Sequence, residues 1–165
     1  MATATLSVRD IALKIKLPTE DLTAAINRAR NWTREGLLPT VGEKHPGIGR
    51  ERRYPERAML DAMLLQVLTS AIGTPAVIAT GAVKELKAKL GNTVDDLKEL
   101  LAKHPKEDTV VVVSRSITDR EWSAGVFWRS RLDKWIATRR NMVHVVVDAQ
   151  MLHDLVEGGI NVDHS

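Results

Sequence analysis

Two clusters of arginine, the first interleaved with asparagine, carry the side chains in this sequence that are best suited to binding a partner. The first cluster comprises Asn27, Arg28, Arg30, Asn31 and Arg34. A guanidinium group binds phosphate oxygens or the O6 and N7 edge of guanine, and an asparagine amide matches the N6 and N7 edge of adenine. These residues are therefore candidate contacts to the bases and phosphates of double-stranded DNA.

The second cluster comprises Arg50, Arg52 and Arg53. Each phosphate that an arginine neutralises releases condensed counterions, which makes binding depend on salt. Successive side chains of a strand point to opposite faces, so we expect only one of Arg52 and Arg53 to contact DNA directly. Residues 28–57 hold eight basic and four acidic side chains, a balance of +4 in a chain whose net charge is +3. An anionic partner and a plain solvated surface both fit this charge.

The composition narrows the classes of function. Of the 165 residues, 44% are apolar and 27% are charged, as in ordinary globular proteins. The absence of cysteine excludes disulfides, thiolate metal sites and cysteine nucleophiles. No run of about 18 apolar residues predicts a membrane span, and residues 1–5 lack a signal-peptide pattern. We therefore expect a cytoplasmic protein with no membrane partner.

Catalytic and metal sites are not expected. The carboxylates Asp119, Glu121, Asp133 and Asp148 have no nucleophile elbow, phosphate loop or paired-acid motif around them. The five histidines stand at no spacing typical of metal ligands. The sequence therefore predicts a protein that is not an enzyme and that holds no cofactor and no metal.

A further group of notable residues lies towards the C-terminus, where Trp122, Phe127, Trp128 and Trp135 stand among several arginines. Aromatic and arginine side chains together form anionic-ligand pockets, nucleic-acid surfaces or protein interfaces. The alternative, which we favour, is that the rings fill a small core and the arginines solvate its rim. A protein or a small molecule that binds this module is a further hypothesis that the sequence does not decide.

Two helices must position the first arginine cluster. The Ser-x-x-Asp pattern at residues 7–10 predicts the start of a short helix that ends before Pro18. Thr19 predicts the cap of a second helix, which runs to about residue 35 and stops at Gly36 in a left-handed conformation. Helical spacing predicts that the first helix buries one stripe, made of Val8, Ile11, Ala12 and Ile15.

The second arginine cluster is predicted to lie on a β-hairpin. Residues 37–38 and 52–54 are too short to be helices and flank a loop rich in glycine and proline at residues 39–49. Pro55 suits the first position of a helix that continues to about residue 71. In the helix before the hairpin, Trp32 has the spacing of a core residue rather than of a stacking platform.

The rest of the chain is predicted to form two more helices and a small α/β module. The helices span residues 75–90 and residues 93–104, and a polar joint follows at residues 106–108. A turn is expected around Thr118, with a helix starting there as the alternative. The elements predicted after the joint are strands at 109–113, 124–128 and 142–147 and helices at 131–139 and 149–157.

Three segments resemble the DNA-binding domain of MerR-type regulators. They read SVRDIA at residues 7–12, REGLLP at residues 34–39 and RRYPE at residues 52–56. Members of that family show x-I-G-E-V-A in the opening helix, R-E-G-L-L at the end of the recognition helix and R-x-Y in the strand that follows. The resemblance covers about residues 5–90 and implies a winged helix-turn-helix.

The predicted fold class is therefore α+β, with an N-terminal winged helix-turn-helix followed by a helical linker and a small α/β C-terminal module (ββαβα). The predicted divisions are a DNA-binding domain at residues 1–75, linker and dimerisation helices at residues 76–105 and the C-terminal module at residues 106–165.

The resemblance also implies a function. The second helix would enter the major groove, and the hairpin, or wing, would contact the flanking backbone. Tyr54 resembles the family's wing tyrosine, which would hydrogen-bond a phosphate; the alternative is that it packs at the strand end. We expect a sequence-specific transcriptional regulator of bacterial or phage type that binds DNA as a homodimer. A DNA-bending accessory factor of recombination or excision, with the same fold, is the alternative.

Overall fold

The structure is a computed structural model, and it describes residues 5–42, 51–73, 75–104, 108–139, 141–148 and 152–154. It is a mixed helical and sheet structure of the α+β class, with two separate antiparallel sheets. No helix within these residues has the length and apolar character that a membrane span needs.

The first helix forms as its sequence predicts. Strand β1 (Thr5–Ser7) leads directly into helix α1 (Val8–Ile15). The Ser7 hydroxyl accepts a hydrogen bond from the Asp10 N–H at 3.2 Å, and the Asp10 carboxylate accepts one from the Ser7 N–H at 2.7 Å. The predicted apolar stripe of α1 is buried. This reciprocal cap and this stripe are local features, so the sequence alone defines them.

Helix α2 (Leu22–Arg34) starts two residues later than predicted. Asp21, not Thr19, is its N-cap, and the Asp21 carboxylate accepts a hydrogen bond from the Ala24 N–H at 2.7 Å. The Glu20 N–H donates to the Leu17 carbonyl, so the chain makes a turn before the helix begins. At the other end Gly36 has φ +80°, the left-handed conformation predicted for the helix stop.

A small sheet stands beside α2, with a topology that the sequence does not reveal. Strand β2 (Arg53–Pro55) pairs antiparallel with β1, and Val41 bridges Arg53 from the other side. The predicted hairpin partner at residues 37–38 is wrong, because Leu38 is buried in the core and lies outside the strands. Pro55 ends β2, so its predicted place at the start of a helix is also wrong.

Three helices build the centre of the molecule: α3 (Arg57–Ile72), α4 (Ala76–Leu90) and α5 (Val94–Lys103). Helix α3 is apolar around almost its whole circumference and is the central element of the core. Helix α4 packs against α3 on one side and against the C-terminal sheet on the other. The predicted break between α3 and α4 is present at Gly73, whose φ is +65°.

The C-terminal module is a three-stranded antiparallel sheet. Strand β3 (Thr109–Ser116) lies between β4 (Trp122–Trp128) and β5 (Met142–Asp148). Between β4 and β5 the chain forms a 3₁₀ turn (Arg129–Arg131) and helix α6 (Leu132–Ala137). The predicted order of strand, strand, helix and strand is confirmed, and a turn joins β3 to β4. The predicted closing helix falls mostly outside the described residues, of which 152–154 are helical.

One hydrophobic core runs through the described structure. It extends from Val8 and Ile11 in α1, through α3 and α4, to Val111 in β3 and Val147 in β5. The core therefore continues across the predicted boundaries at residues 75 and 105. The division into three domains stays a prediction.

Candidate nucleic-acid interface

The exposed face of α2 carries four of the five predicted contacts of the first arginine cluster. Asn27, Arg30, Asn31 and Arg34 are all exposed. Their spacing of three and four residues places them on one side of the helix. Ala25, Ala29, Trp32 and Thr33 are buried on the opposite side, so the core fixes the direction in which the polar face points.

Within this face, one guanidinium group is oriented by a neighbour. The Arg34 guanidinium donates a hydrogen bond to the side-chain oxygen of Asn31. That bond uses one of the two lone pairs of the Asn31 oxygen and fixes the direction of its amide group, whose two N–H groups still face solvent for a partner. Asn27 lies one turn earlier on the same face. Asn27 is thus the more independent of the two asparagines.

Arg28 points towards the body of the protein instead. Its guanidinium donates to the Glu20 carboxylate at 2.7 Å and to the Ile15 carbonyl at 3.0 Å. The guanidinium carbon also lies 5.8 Å from the centroid of the Trp32 ring. These bonds join the end of α1, the turn and α2. Arg28 is therefore a positioning residue for α2, and the predicted DNA contact at Arg28 is replaced by internal bonds.

The electrostatics of the turn support this assignment. Partial burial raises the pKa of Glu20, but the Arg28 guanidinium and the Leu17 N–H lower it by more, so the pKa lies below its usual value. Glu20 is thus charged at neutral pH and holds Arg28 in place. The turn before α2 is locked by charge as well as by backbone hydrogen bonds.

Tyr54 is fully buried, so the predicted phosphate contact at Tyr54 is wrong. The side chain has 0% exposure, and its hydroxyl lies 2.9 Å from the Thr33 hydroxyl. Thr33 in turn donates to the Ala29 carbonyl at 2.8 Å. Because a threonine hydroxyl has one hydrogen, the Tyr54 hydroxyl must be the donor to Thr33. Tyr54 therefore ties β2 to the buried side of α2.

The second arginine cluster lies partly at the surface. Arg53 is exposed on β2 and forms an ion pair with Glu51, with 3.7 Å between Nη2 and Oε2. Arg52 is half-buried and makes an interaction of its own. Arg50 lies outside the described residues. Arg52 precedes β2, so the strand alternation does not apply to it, and the expectation that only one of the two arginines contacts DNA stays a prediction.

Arg9 is a basic residue that the sequence analysis missed. It is exposed on the first turn of α1. Hydrogen bonds from Ser7 lower the pKa of Asp10, and the charges of Arg53 and Arg9 lower it further. Both arginines therefore lie near the start of α1. Arg9 could have been found in the sequence, because helical spacing places it on the polar side of α1, opposite the apolar stripe.

An open groove borders the polar face of α2. The residues that line it come from α2 and from the first turn of α4, and Val77 of α4 is 62% exposed. The α2 side is formed by Ala24, Asn27, Arg28, Asn31, Trp32 and Glu35. One flank of the polar face is thus open to solvent, with an apolar rim from α4.

Two aromatic residues of the C-terminal module, Phe127 and Trp135, pack against each other beside its sheet. The rings of Phe127 and Trp135 lie 4.7 Å apart, and those of Trp135 and His144 lie 5.1 Å apart. The Arg139 guanidinium covers Trp135 at 4.4 Å. The His144 Nδ1 atom lies 2.8 Å from the buried Ser114 hydroxyl. Trp128, by contrast, is 45% exposed, and Trp122 lies against Gly81 of α4, so the four rings do not share the predicted small core.

Within the described residues, no group of three or more histidine, aspartate or glutamate side chains is placed to hold a metal ion. A scan against protein-family models and a search of curated proteins both returned no match to this chain. The functional argument accordingly rests on the geometry of α2 and its neighbours.

Proposed function

We propose that this protein binds double-stranded DNA sequence-specifically and acts as a transcriptional regulator, with α2 as the recognition helix. The observation that carries the proposal is the division of α2 into two sides. Its buried side is anchored in the core, and its exposed side presents asparagine and arginine at helical spacing. An α-helix fits the major groove of B-DNA, where those side chains match base edges and phosphates.

The rigidity of α2 supports this role. A recognition helix must hold its side chains in register with the bases, so its own position must be well defined. Hydrogen bonds from Arg28 to Glu20 and to the Ile15 carbonyl fix the middle of α2 to the preceding turn and to the end of α1. The hydrogen bond between Tyr54 and Thr33 fixes its C-terminal part to β2. The helix is therefore tied to neighbouring elements at two separate points.

The start of α1, the helix that packs against α2, carries positive charge for the DNA backbone. Arg53 on β2 and Arg9 on α1 lie close enough to the Asp10 carboxylate to lower its pKa. Phosphate contacts set affinity and orientation, whereas base contacts set sequence preference. We assign Arg9, Arg34 and Arg53 to the backbone and Asn27 to a base edge.

The experiment starts by selecting bound sequences from a random double-stranded DNA library with the full chain. Affinity for the selected site is then measured against salt for the wild type and for Arg34→Ala, Arg53→Ala and Asn27→Ala. Each arginine variant is expected to lower the salt slope by about one unit, because one phosphate contact is lost. Asn27→Ala is expected to keep the slope and lose about 1–3 kcal/mol of preference at one base pair.

Arg131→Ala is the matched control, since Arg131 is an exposed arginine of the C-terminal module. Its salt slope should equal that of the wild type. If the library yields no enriched sequence, or if Arg131→Ala lowers the slope while Arg34→Ala does not, α2 is not the DNA-binding element. Mapping of bound sites in a genome then separates regulation at promoters from the alternative role at recombination sites.

A further inference from the structure

Strand β5 is an edge strand of the C-terminal sheet in the part of the chain that the structure describes. Among the described residues no strand pairs with its outer edge, because the order of the sheet is β4-β3-β5. Val143 is 56% exposed and Val146 is 42% exposed, and the two lie on opposite faces of the sheet. From Met142 to Val147 the strand has no proline, lysine or acidic residue. Natural sheets normally protect a long apolar edge with such residues, or cover it.

The backbone hydrogen bonds show which residues of β5 point outwards. The Ile117 N–H donates to the Asn141 carbonyl at 3.0 Å, and the Ser116 N–H donates to the Glu121 carbonyl at 2.9 Å. Hydrogen bonding alternates along antiparallel strands. The odd-numbered residues of β3 therefore bond the odd-numbered residues of β5, and the even-numbered residues of β3 bond β4. On β5 the backbone groups aimed away from β3 are therefore those of the even-numbered residues. The Met142 N–H already donates to the Arg139 carbonyl at 3.2 Å, so the edge that can pair further is formed by His144 and Val146.

We propose that β5 pairs antiparallel with β5 of a second copy of this chain, about a two-fold axis at Val145. The axis is perpendicular to the sheet, so residues of the same parity face each other and the two sheets continue as one. Val145 is the middle residue of the strand (Met142–Asp148), and centring the axis there overlaps the whole strand. The His144 and Val146 backbone groups of one copy then bond those of Val146 and His144 of the other.

The same register covers both exposed valines. Val143 lies opposite Val147 of the second copy, and Val146 lies opposite His144 of the second copy. Cross-strand neighbours of this kind have Cβ atoms about 4.5–5.5 Å apart, which removes apolar surface from water on both faces of the sheet. One contact thus covers the two apolar side chains that β5 leaves exposed.

Charge favours a second copy in the antiparallel direction. Arg139 precedes β5, and Asp148, which ends it, forms an ion pair with Arg129 of its own chain. Antiparallel pairing places the Arg139 residues of the two copies at opposite ends of the paired strands, whereas parallel pairing would place these like charges side by side. The strand is thus complementary to itself in hydrogen bonding, and the antiparallel direction avoids repulsion between like charges.

This interface rests on the proposed function, because it names the surface that joins two DNA-binding units. Its test uses no DNA, so a failure of dimerisation can be told apart from a failure of DNA binding.

Sedimentation of the full chain is expected to show a dimer. Val146→Pro removes an N–H that points away from β3 and leaves the bonds between β5 and β3 in place. Each copy loses one hydrogen bond, so the dimer loses two, and its dissociation constant is expected to rise roughly 30-fold. Val146→Thr keeps the N–H and is the control, with wild-type association.

A single introduced cysteine tests the register, since the chain has none of its own. At Val145 the two copies meet in a non-hydrogen-bonded pair with Cα atoms about 4.5 Å apart, which a disulfide spans. Val145→Cys is therefore expected to form a cross-linked dimer on oxidation. Val143→Cys is the control, because its copies lie four residues out of register.

Three results would overturn the proposal. The first is a wild-type chain that sediments as a monomer at the highest concentration reached. The second is a dimer whose dissociation constant is the same in Val146→Pro and in Val146→Thr. The third is cross-linking of Val143→Cys in preference to Val145→Cys. The cysteine result decides the question even if the proline variant does not fold.

Discussion

The buried hydrogen bond between Tyr54 and Thr33 makes a quantitative prediction about stability. Both side chains have 0% exposure, and the chain of bonds runs from Tyr54 to Thr33 to the Ala29 carbonyl. Tyr54→Phe removes the donor and leaves the Thr33 hydroxyl bonded to Ala29. We expect it to lower the free energy of unfolding by about 1 kcal/mol, the typical net value of one hydrogen bond.

Thr33→Val should cost more than Tyr54→Phe, although it also removes one hydroxyl. Valine has nearly the shape of threonine, but it leaves the buried Tyr54 hydroxyl without an acceptor. An unsatisfied buried donor costs about 1–3 kcal/mol, so we expect a loss of about 2 kcal/mol. The double variant removes both partners and should lose less than Thr33→Val alone.

The assay is urea and thermal unfolding of the four proteins in parallel. For a chain of this length, 1 kcal/mol corresponds to a change in Tm of about 2–4 °C. The expected order of Tm is wild type, then Tyr54→Phe and the double variant, then Thr33→Val. Refutation would be a Tyr54→Phe variant with unchanged Tm and a weakened salt dependence of DNA binding, since the hydroxyl would then reach a phosphate.

Three further predictions concern other elements. Arg28→Ala should lower the free energy of unfolding by about 2 kcal/mol in a urea titration while leaving the salt slope unchanged, because it strands the half-buried Glu20; a lowered slope would return Arg28 to the DNA surface. Gly81→Ala places a Cβ 2.4 Å from Trp122 Cδ1, so overpacking of about 1–3 kcal/mol should exceed the helix gain of roughly 1 kcal/mol; a raised Tm would contradict this. The Asn92 and Thr93 N–H groups and the Thr93 hydroxyl lower the pKa of Asp96 below 3.8, so the stability that Asp96 contributes is present above that pH and is lost as pH falls through the lower folded-state value. Asp96→Asn should therefore reduce the loss of unfolding free energy at acidic pH. An unchanged loss would show that Asp96 does not contribute to it.

Short-range patterns predict most of the helices and strands. The cap and stripe of α1 depend on residues three and four positions apart, which the sequence displays directly. The burial of Trp32, with 5% exposure, follows from its helical spacing. The β-branched run at residues 109–113 and the apolar run at residues 142–147 form the strands expected of them. In each case the decisive neighbours are adjacent in the chain.

Features that depend on distant contacts could not be predicted. Strand β1 has three residues, too few for any periodic signal, and its partner Arg53–Pro55 lies far along the chain. Thr19 and Asp21 are both good helix caps, and the turn from Leu17 to Glu20 decides between them. A periodic pattern shows that a residue lies on a helix, but not which neighbouring element will cover it.

The two arginine clusters illustrate the same division. Composition and helical spacing are local properties, so they suffice to show that arginine and asparagine are concentrated on one helix. The inward direction of Arg28 and the exposure of Arg34 depend on the fold, because the Glu20 carboxylate and the Ile15 carbonyl come from the preceding turn and helix. The burial of Tyr54 depends on the fold in the same way, since its hydroxyl bonds Thr33 across the core. The direction of a side chain depends on what the fold places beside it.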